Sequence, residues 1–360
     1  MKKIYLFLAF CLVGLQAKAQ DYKTENIILV TLDGMRWQEV FNGADSLMVD
    51  DTGMIASQGS LLEEFWHPDP LQRREKLMPF FWGTLAQEGQ LYGNRAYGNY
   101  VNNANSMWFS YPGYNEVLSG FADDERINSN SKINNPNVTL LEYLNQKDEY
   151  KGKVMAFGSW DVFPYIVNEE RSGVPVNAGF DIATGDDLTD VEKTINRLQK
   201  EIRGPWGGVR LDPFTHHYAL ESIKKHQPKV LYIAYGETDD WAHGNKYDQY
   251  IWSAKQTDAF IQELWETVQS MPQYKDKTTM IITTDHGRGV TKRTWTGHGD
   301  AIAEAGEIWI AAIGPDTPAD GEMKEKGQWH SAMIARTIFQ LLGMEYPDSK
   351  AEPAIQEMIR

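Results

Sequence analysis

The sequence predicts a three-layer α/β/α fold built on a mostly parallel central sheet. Short apolar, β-branched runs alternate with helical stretches along the 360 residues, the pattern of repeated strand–helix units. Three of the runs, Asn26–Leu32, Lys229–Tyr235 and Met280–Thr284, give way to a glycine and an acid. Unbroken apolar runs of this kind read as strands buried on both faces. Ligands of open α/β sheets bind beyond the carboxyl ends of the strands, so Asp33, Asp239 and Asp285 are placed where a crevice is expected.

Taken in order, residues 1–19 read as a secretory signal peptide. Met1-Lys2-Lys3 is the charged start, Ile4–Leu15 the apolar stretch, and Ala17-Lys18-Ala19 a small-x-small cleavage site. A lipid anchor on Cys11 is a weaker alternative, because bulky Phe10 stands where small residues are expected. Residues 20–360 are expected to form one catalytic domain, exported to the periplasm or secreted. No later stretch reaches the roughly 20 apolar residues that span a bilayer. Cys11 is the only cysteine and leaves with the leader, so a transition-metal site must use His and carboxylates. The formal net charge of -15 argues against binding a nucleic-acid duplex.

After the first strand, Pro79–Gly89 is predicted helical, Leu91–Tyr97 a strand, and Asn99–Asn105 an asparagine-rich loop. A short helix is expected over Asn115–Ser119, helices over Val138–Gln146 and Leu188–Ile202, and a strand over Lys153–Phe157. The irregular stretch Ser159–Pro213 reads as a cap or insertion. Helices follow over Phe214–His226 and Asp248–Gln269, then a strand over Glu307–Ile313 and a last helix over Trp329–Leu342.

The candidate chemistry lies at the strand ends. Asp239 and His243 share a face if their segment is helical. Asp285 and His286 are adjacent, and His298 follows in a Gly/Thr loop, with His330 as its alternative. Three carboxylates and three imidazoles suit two borderline cations about 4 Å apart. The imidazoles favour zinc over magnesium or calcium, with manganese or iron as alternatives. His67, His226 and the pair His216-His217 read as structural. Ser110 precedes a short helix and reads either as its N-cap, which position alone favours, or as a nucleophile at an anion-favouring helix start.

These segments are similar to those of a known family. Val30-Thr-Leu-Asp33-Gly34, Ser110-Tyr-Pro-Gly113, Asp239-x-x-x-His243-Gly244, Thr284-Asp285-His286-Gly287 and Gly297-His298-Gly299 occur in the order seen in the alkaline phosphatase superfamily. The chain most resembles its type I phosphodiesterase/nucleotide pyrophosphatase branch, from Asn26 to about Leu342. The resemblance implies one zinc on Asp239, His243 and His298, and a second on Asp33, Asp285 and His286. It implies Ser110 as a nucleophile that bridges toward the second zinc and becomes a phosphoseryl intermediate. A family asparagine that holds a phosphoryl oxygen falls near Asn128 or Asn130. The Lys or Arg that monoesterases set against the extra phosphate charge has no obvious counterpart. Phe157–Asp161 occupies the corresponding region, and Arg126, Arg171 and Arg288 are the substitutes to consider. The expected substrate is therefore a small phosphate ester, leaning to diesters.

The alternatives are a phosphomonoesterase with the same site, a sulfatase and a phosphomutase. The sulfatase reading lacks an arginine after Ser110-x-Pro112. A phosphomutase would serve cytoplasmic metabolism, which an exported chain does not. A carbohydrate-binding surface protein is the non-enzyme alternative, suggested by 12 Trp and 17 Tyr. It gives no reason for the strand-end acids and histidines. Oligomeric state leaves no trace in the sequence.

Overall fold

The computed structural model describes residues 22–360; the leader and Cys11 lie outside them. The strands are β1 (Asn26–Leu32), β2 (Gly89–Tyr92), β3 (Asn99–Asn102), β4 (Val154–Gly158), β5 (Val176–Ala178), β6 (Val230–Tyr235), β7 (Thr278–Thr283), β8 (Glu307–Ile308), β9 (Ile310–Ile313), β10 (Gly321–Glu322) and β11 (Gly327–His330). Eight of them form one sheet in the order β10-β2-β9-β7-β1-β6-β4-β5, and β11-β3-β8 form a second. The stretch β7-β1-β6-β4-β5 is parallel throughout, and β9 runs antiparallel to both β7 and β2. This is the mostly parallel sheet that the alternating pattern predicts.

Every residue of β1, β6 and β7 is buried. Their side chains alternate between two apolar layers. Ile28, Val30, Ile233 and Ile282 enter one layer, and Ile27, Leu29, Tyr232 and Ile281 the other. Helices cover both faces, which is why these strands are buried at every position and apolar at most of them, not at every second one. The sheet centre is thus dry and rigid, and it carries β7, β1 and β6 side by side to one edge.

The helices that matter for the site are α1 (Ser110–Ser119), α2 (Asp190–Glu201), α3 (Asp212–His226), α4 (Glu237–His243), α5 (Tyr247–Ser270) and α6 (Met333–Leu341). The stretch 159–213 contributes edge strand β5 and helix α2, and a β-bridge joins Trp160 to Val209. Among the described residues no helix is long and apolar enough to cross a membrane.

Several local expectations are corrected. Asn99–Asn102 is a strand, not loop, because alternate burial of Asn99 and Val101 fits a sheet face. Residues 327–330 are likewise a strand, parallel to β3, and the last helix begins only at Met333. Buried Trp329 packs edge-on against Tyr92, which favours the extended form. Glu307–Ile313 is divided between the two sheets at Trp309, whose indole donates to the Met35 carbonyl. Phe81–Leu85 is a π-helical turn followed by one short α turn, and the next strand is Gly89–Tyr92.

Leu29 is fully buried at the centre of the sheet. Leu29→Ala is expected to lower the unfolding free energy by about 2–5 kcal/mol, read from the shift in urea midpoint at constant slope.

Candidate metal centre

Strands β7, β1 and β6 are neighbours in the sheet, so Asp285, Asp33 and Asp239 emerge together beyond their carboxyl ends. His286 is fully buried in their midst. Its Nε2 lies 3.3 Å from Asp33 Oδ1, 3.5 Å from Asp285 Oδ2 and 3.8 Å from Asp239 Oδ1. Asp239 and His243 stand one turn apart on α4, with Asp239 Oδ2 3.2 Å from His243 Nε2. The His298 ring stacks on His286 at 4.0 Å between centroids, and its Nε2 is 3.7 Å from Asp239 Oδ1. All six strand-end and loop residues singled out in the sequence are therefore brought together.

Hydrogen bonds aim each group. Tyr114, one turn after Ser110 on α1, donates to Asp33 Oδ2 at 2.8 Å. The backbone N–H groups of Gly34 and His286 donate to Asp285 Oδ1. In each carboxylate the other oxygen, Asp33 Oδ1 or Asp285 Oδ2, is buried without a hydrogen-bond partner. His286 Nδ1 lies 2.9 Å from the Gly287 carbonyl, which can only accept, so Nδ1 carries the proton. Its Nε2 is turned toward three carboxylates and is also unpartnered. The Nε2 atoms of His243 and His298 face each other at 3.0 Å.

Buried acceptors facing one another repel, an arrangement that a cation between them relieves. The donor set is mixed imidazole and carboxylate, which fits zinc-like ions. Two overlapping groups meet the distance requirements of a metal site, Asp33/Asp285/His286 and Asp239/His286/His298. A third, His216/His217/Glu263, joins α3 to α5. There both ring nitrogens of His216 are engaged, Nδ1 with Tyr235 and Nε2 with Glu263, as in a satisfied core histidine.

The electrostatics follow from the crowding. Burial, reinforced by Asp239, raises the Asp33 carboxyl well above its usual range, and burial with Asp33 does the same to Asp285. Burial would raise Asp239 too, but Arg288, His243 and His298 together hold it well below the usual range. Burial, with His286 alongside, pushes the His298 imidazole down to about 2.

Ser110 is the first residue of α1, not its cap; Phe109 occupies the cap position without a side-chain bond. Gly113, in the same turn, touches the end of β7 so closely that a Cβ would lie 2.2 Å from the Asp285 carbonyl oxygen. That contact seats the start of α1 against the acids. Asn130 Oδ1 accepts from the Tyr111 N–H at 3.0 Å, next to Ser110, whereas the Asn128 amide bonds back to Glu125. His330 is not part of the cluster. It ends β11 and pairs with Glu352 at 2.9 Å.

The three arginines considered as phosphate cations are all paired. Arg126 binds Asp123 and Asn137, Arg171 binds Glu142, and Arg288 binds Asp239. Sequence reasoning missed Tyr114, although its spacing four residues after Ser110 puts both on one helical face. It also missed Lys132, two residues after Asn130, which pairs with Asp161 at 2.7 Å.

With this geometry in hand, the comparisons are informative. Residues 214–346 match the family model described as the Metalloenzyme superfamily. That stretch includes Asp239, His243, Asp285, His286 and His298. Wild-type alkaline phosphatase PafA superposes with a TM-score of 0.59 at 11% identity, covering 95% of this chain and 99% of that one. The fold is alkaline phosphatase-like. Phosphonate monoester hydrolase SpPMH from Silicibacter pomeroyi gives a TM-score of 0.57 at 11% identity, over 93% of this chain and 76% of that one. Lipoteichoic acid synthase LtaP from Listeria monocytogenes gives 0.59 at 14%, over 93% and 76% respectively. These activities differ, and they single out no branch within the alkaline phosphatase-like structures. No curated protein sequence matches the chain.

Cation binding to this site is expected to release protons, in a number that grows as the pH is lowered, because burial and their mutual charge raise the Asp33 and Asp285 carboxyls well above the usual range in the metal-free protein. Titration calorimetry of zinc binding in buffers of different ionisation enthalpy measures that number; no proton release would contradict the shared burial of the two acids.

Proposed function

We propose that the chain is an exported phosphoric ester hydrolase that uses Ser110 as nucleophile, works with two zinc ions and prefers diesters. The observation that carries the reading is the convergence of unpartnered carboxylate and imidazole atoms on one crevice against the first turn of α1. Asp33, Asp285 and His286 would hold one ion, and Asp239, His243 and His298 the other. When bound, the ions would balance the charge on the attacking and leaving oxygens.

The protein's own groups account for the remaining steps. Ser110 is buried to 5% exposure and sits at a helix start, where the dipole favours an anion. Its Oγ forms a bond to phosphorus as the bond to the leaving oxygen breaks, and the hydroxyl proton of Ser110 is passed to the departing oxygen. Water then attacks the phosphoserine and frees Ser110. Asn130 has its carbonyl oxygen tied to the Tyr111 N–H, which leaves its NH2 group to donate to a phosphoryl oxygen.

Charge supports the diester preference. A diester carries one negative charge, whereas a monoester dianion asks for an additional cation. Arg126, Arg171 and Arg288 are each committed to an acid. A monoesterase is the second reading, and one observation favours it: the Lys132–Asp161 pair is half-exposed near Asn130, so its ammonium is available for exchange. The segment 159–213 would form the wall of the leaving-group pocket, with Trp206 packed edge-on against Trp241 of α4.

The test compares a nitrophenyl phosphate monoester with the matching diester. The zinc-loaded protein is expected to turn over the diester at least about 10-fold faster in kcat/KM. Ser110→Ala is expected to lose on the order of 10³-fold or more with zinc content unchanged. Faster monoester turnover would favour the second reading, and Lys132→Ala would then reverse it. Turnover of either ester that survives Ser110→Ala would sink the proposed mechanism.

A further inference from the structure

Metal-binding histidines ordinarily donate their second ring nitrogen to a carbonyl or carboxylate, which fixes the ring. His298 departs from this: its Nδ1 is buried without a partner. Its Nε2 meets only His243 and Asp239, and its face lies on His286. Something other than a hydrogen bond to the ring must hold His298 in place.

Arg288 is fully buried and touches every element involved. Its Nε donates to the Trp295 carbonyl at 2.9 Å, and its Nη2 to the Thr296 carbonyl at 2.8 Å, two residues before His298. Its Nη1 pairs with Asp239 Oδ1 on α4. One planar fork therefore ties the loop leaving β7 to the helix that follows β6. The Gly289 N–H donates to the Gly297 carbonyl, so the loop folds back on itself beside this fork. The far side is closed by Trp295, which packs on Tyr247 and Tyr250 and donates its indole N–H to Asn245, two residues after His243.

We propose that Arg288 is the positioning residue for one half of the centre: it sets Asp239 and the His298 loop in register around His243, and makes no hydrogen bond to Asp33, Asp285 or His286. The inference rests on the two-ion reading above and assigns Arg288 a role other than binding substrate. A lysine does not replace it, because an ammonium cannot span two carbonyls and a carboxylate in one plane.

The experiment is equilibrium dialysis of the mature protein against buffered free zinc, with zinc counted by mass spectrometry. Asp239→Ala marks which of the two binding steps belongs to the Asp239 half. In Arg288→Lys, which retains the buried charge, that step is expected to weaken about 10- to 100-fold while the other is unchanged. Arg288→Met is expected to weaken the same step at least as far; if it does not fold, Arg288→Lys decides alone. Two ions bound with wild-type affinity by Arg288→Lys would overturn this inference and leave the two-ion reading intact. Equal weakening of both steps would also overturn it, since Arg288 would then support the fold in general. Wild-type protein that binds no zinc would overturn both.

Discussion

Three carboxylates gathered around the His286 imidazole, Asp33 and Asp285 buried and Asp239 partly so, are what the rest of this structure has to accommodate. Bringing Asp33, Asp239 and Asp285 out of water would concentrate negative charge in a low-dielectric place if all three were ionised, which folding alone would oppose. The protein answers with partial satisfaction. One oxygen of Asp33 and one of Asp285 receive hydrogen bonds, Asp239 receives an arginine, and the remaining atoms turn inward unpaired. Such an arrangement is retained at a site where binding supplies the missing charge, since well-packed apolar residues would be more stable there.

The sheet makes that crowding possible. Because β7, β1 and β6 are adjacent and parallel, their ends cannot avoid one another. Where side chains would interfere, glycine stands. Gly34 adopts φ +59, and a Cβ there would lie 2.9 Å from both Arg288 and Asp239. Gly113 allows α1 to rest directly on the Asp285 backbone. These two positions couple the acids to the Ser110 turn and to the Arg288 loop, so packing, electrostatics and the placement of Ser110 are one constraint.

The parts legible in the sequence were those governed by local pattern. Buried central strands are unbroken apolar runs, and Asp33, Asp239 and Asp285 were readable because each follows such a run. The small sheet was not legible: its strands have two to four residues, and Asn99 and Asn102 carry loop-like composition. Trp329 looked helical because an apolar residue followed by a helix four positions on fits either period. Ser110 looked like a cap because nothing in Ser-Tyr-Pro-Gly reveals that Phe109 takes that position. Arg288 was noticed only as a free cation. Its partners Asp239, Trp295 and Thr296 come from separate turns of the chain, and no spacing rule connects them.

The proposed function requires two metal positions at this sheet edge. Anomalous diffraction from crystals of the zinc-loaded protein, recorded on both sides of the zinc absorption edge, tests it most directly. The expected map has two strong peaks in the crevice, one among Asp33, Asp285 and His286 and one among Asp239, His243 and His298. Strong zinc signal elsewhere with none in that crevice, His216/His217/Glu263 included, would contradict the account.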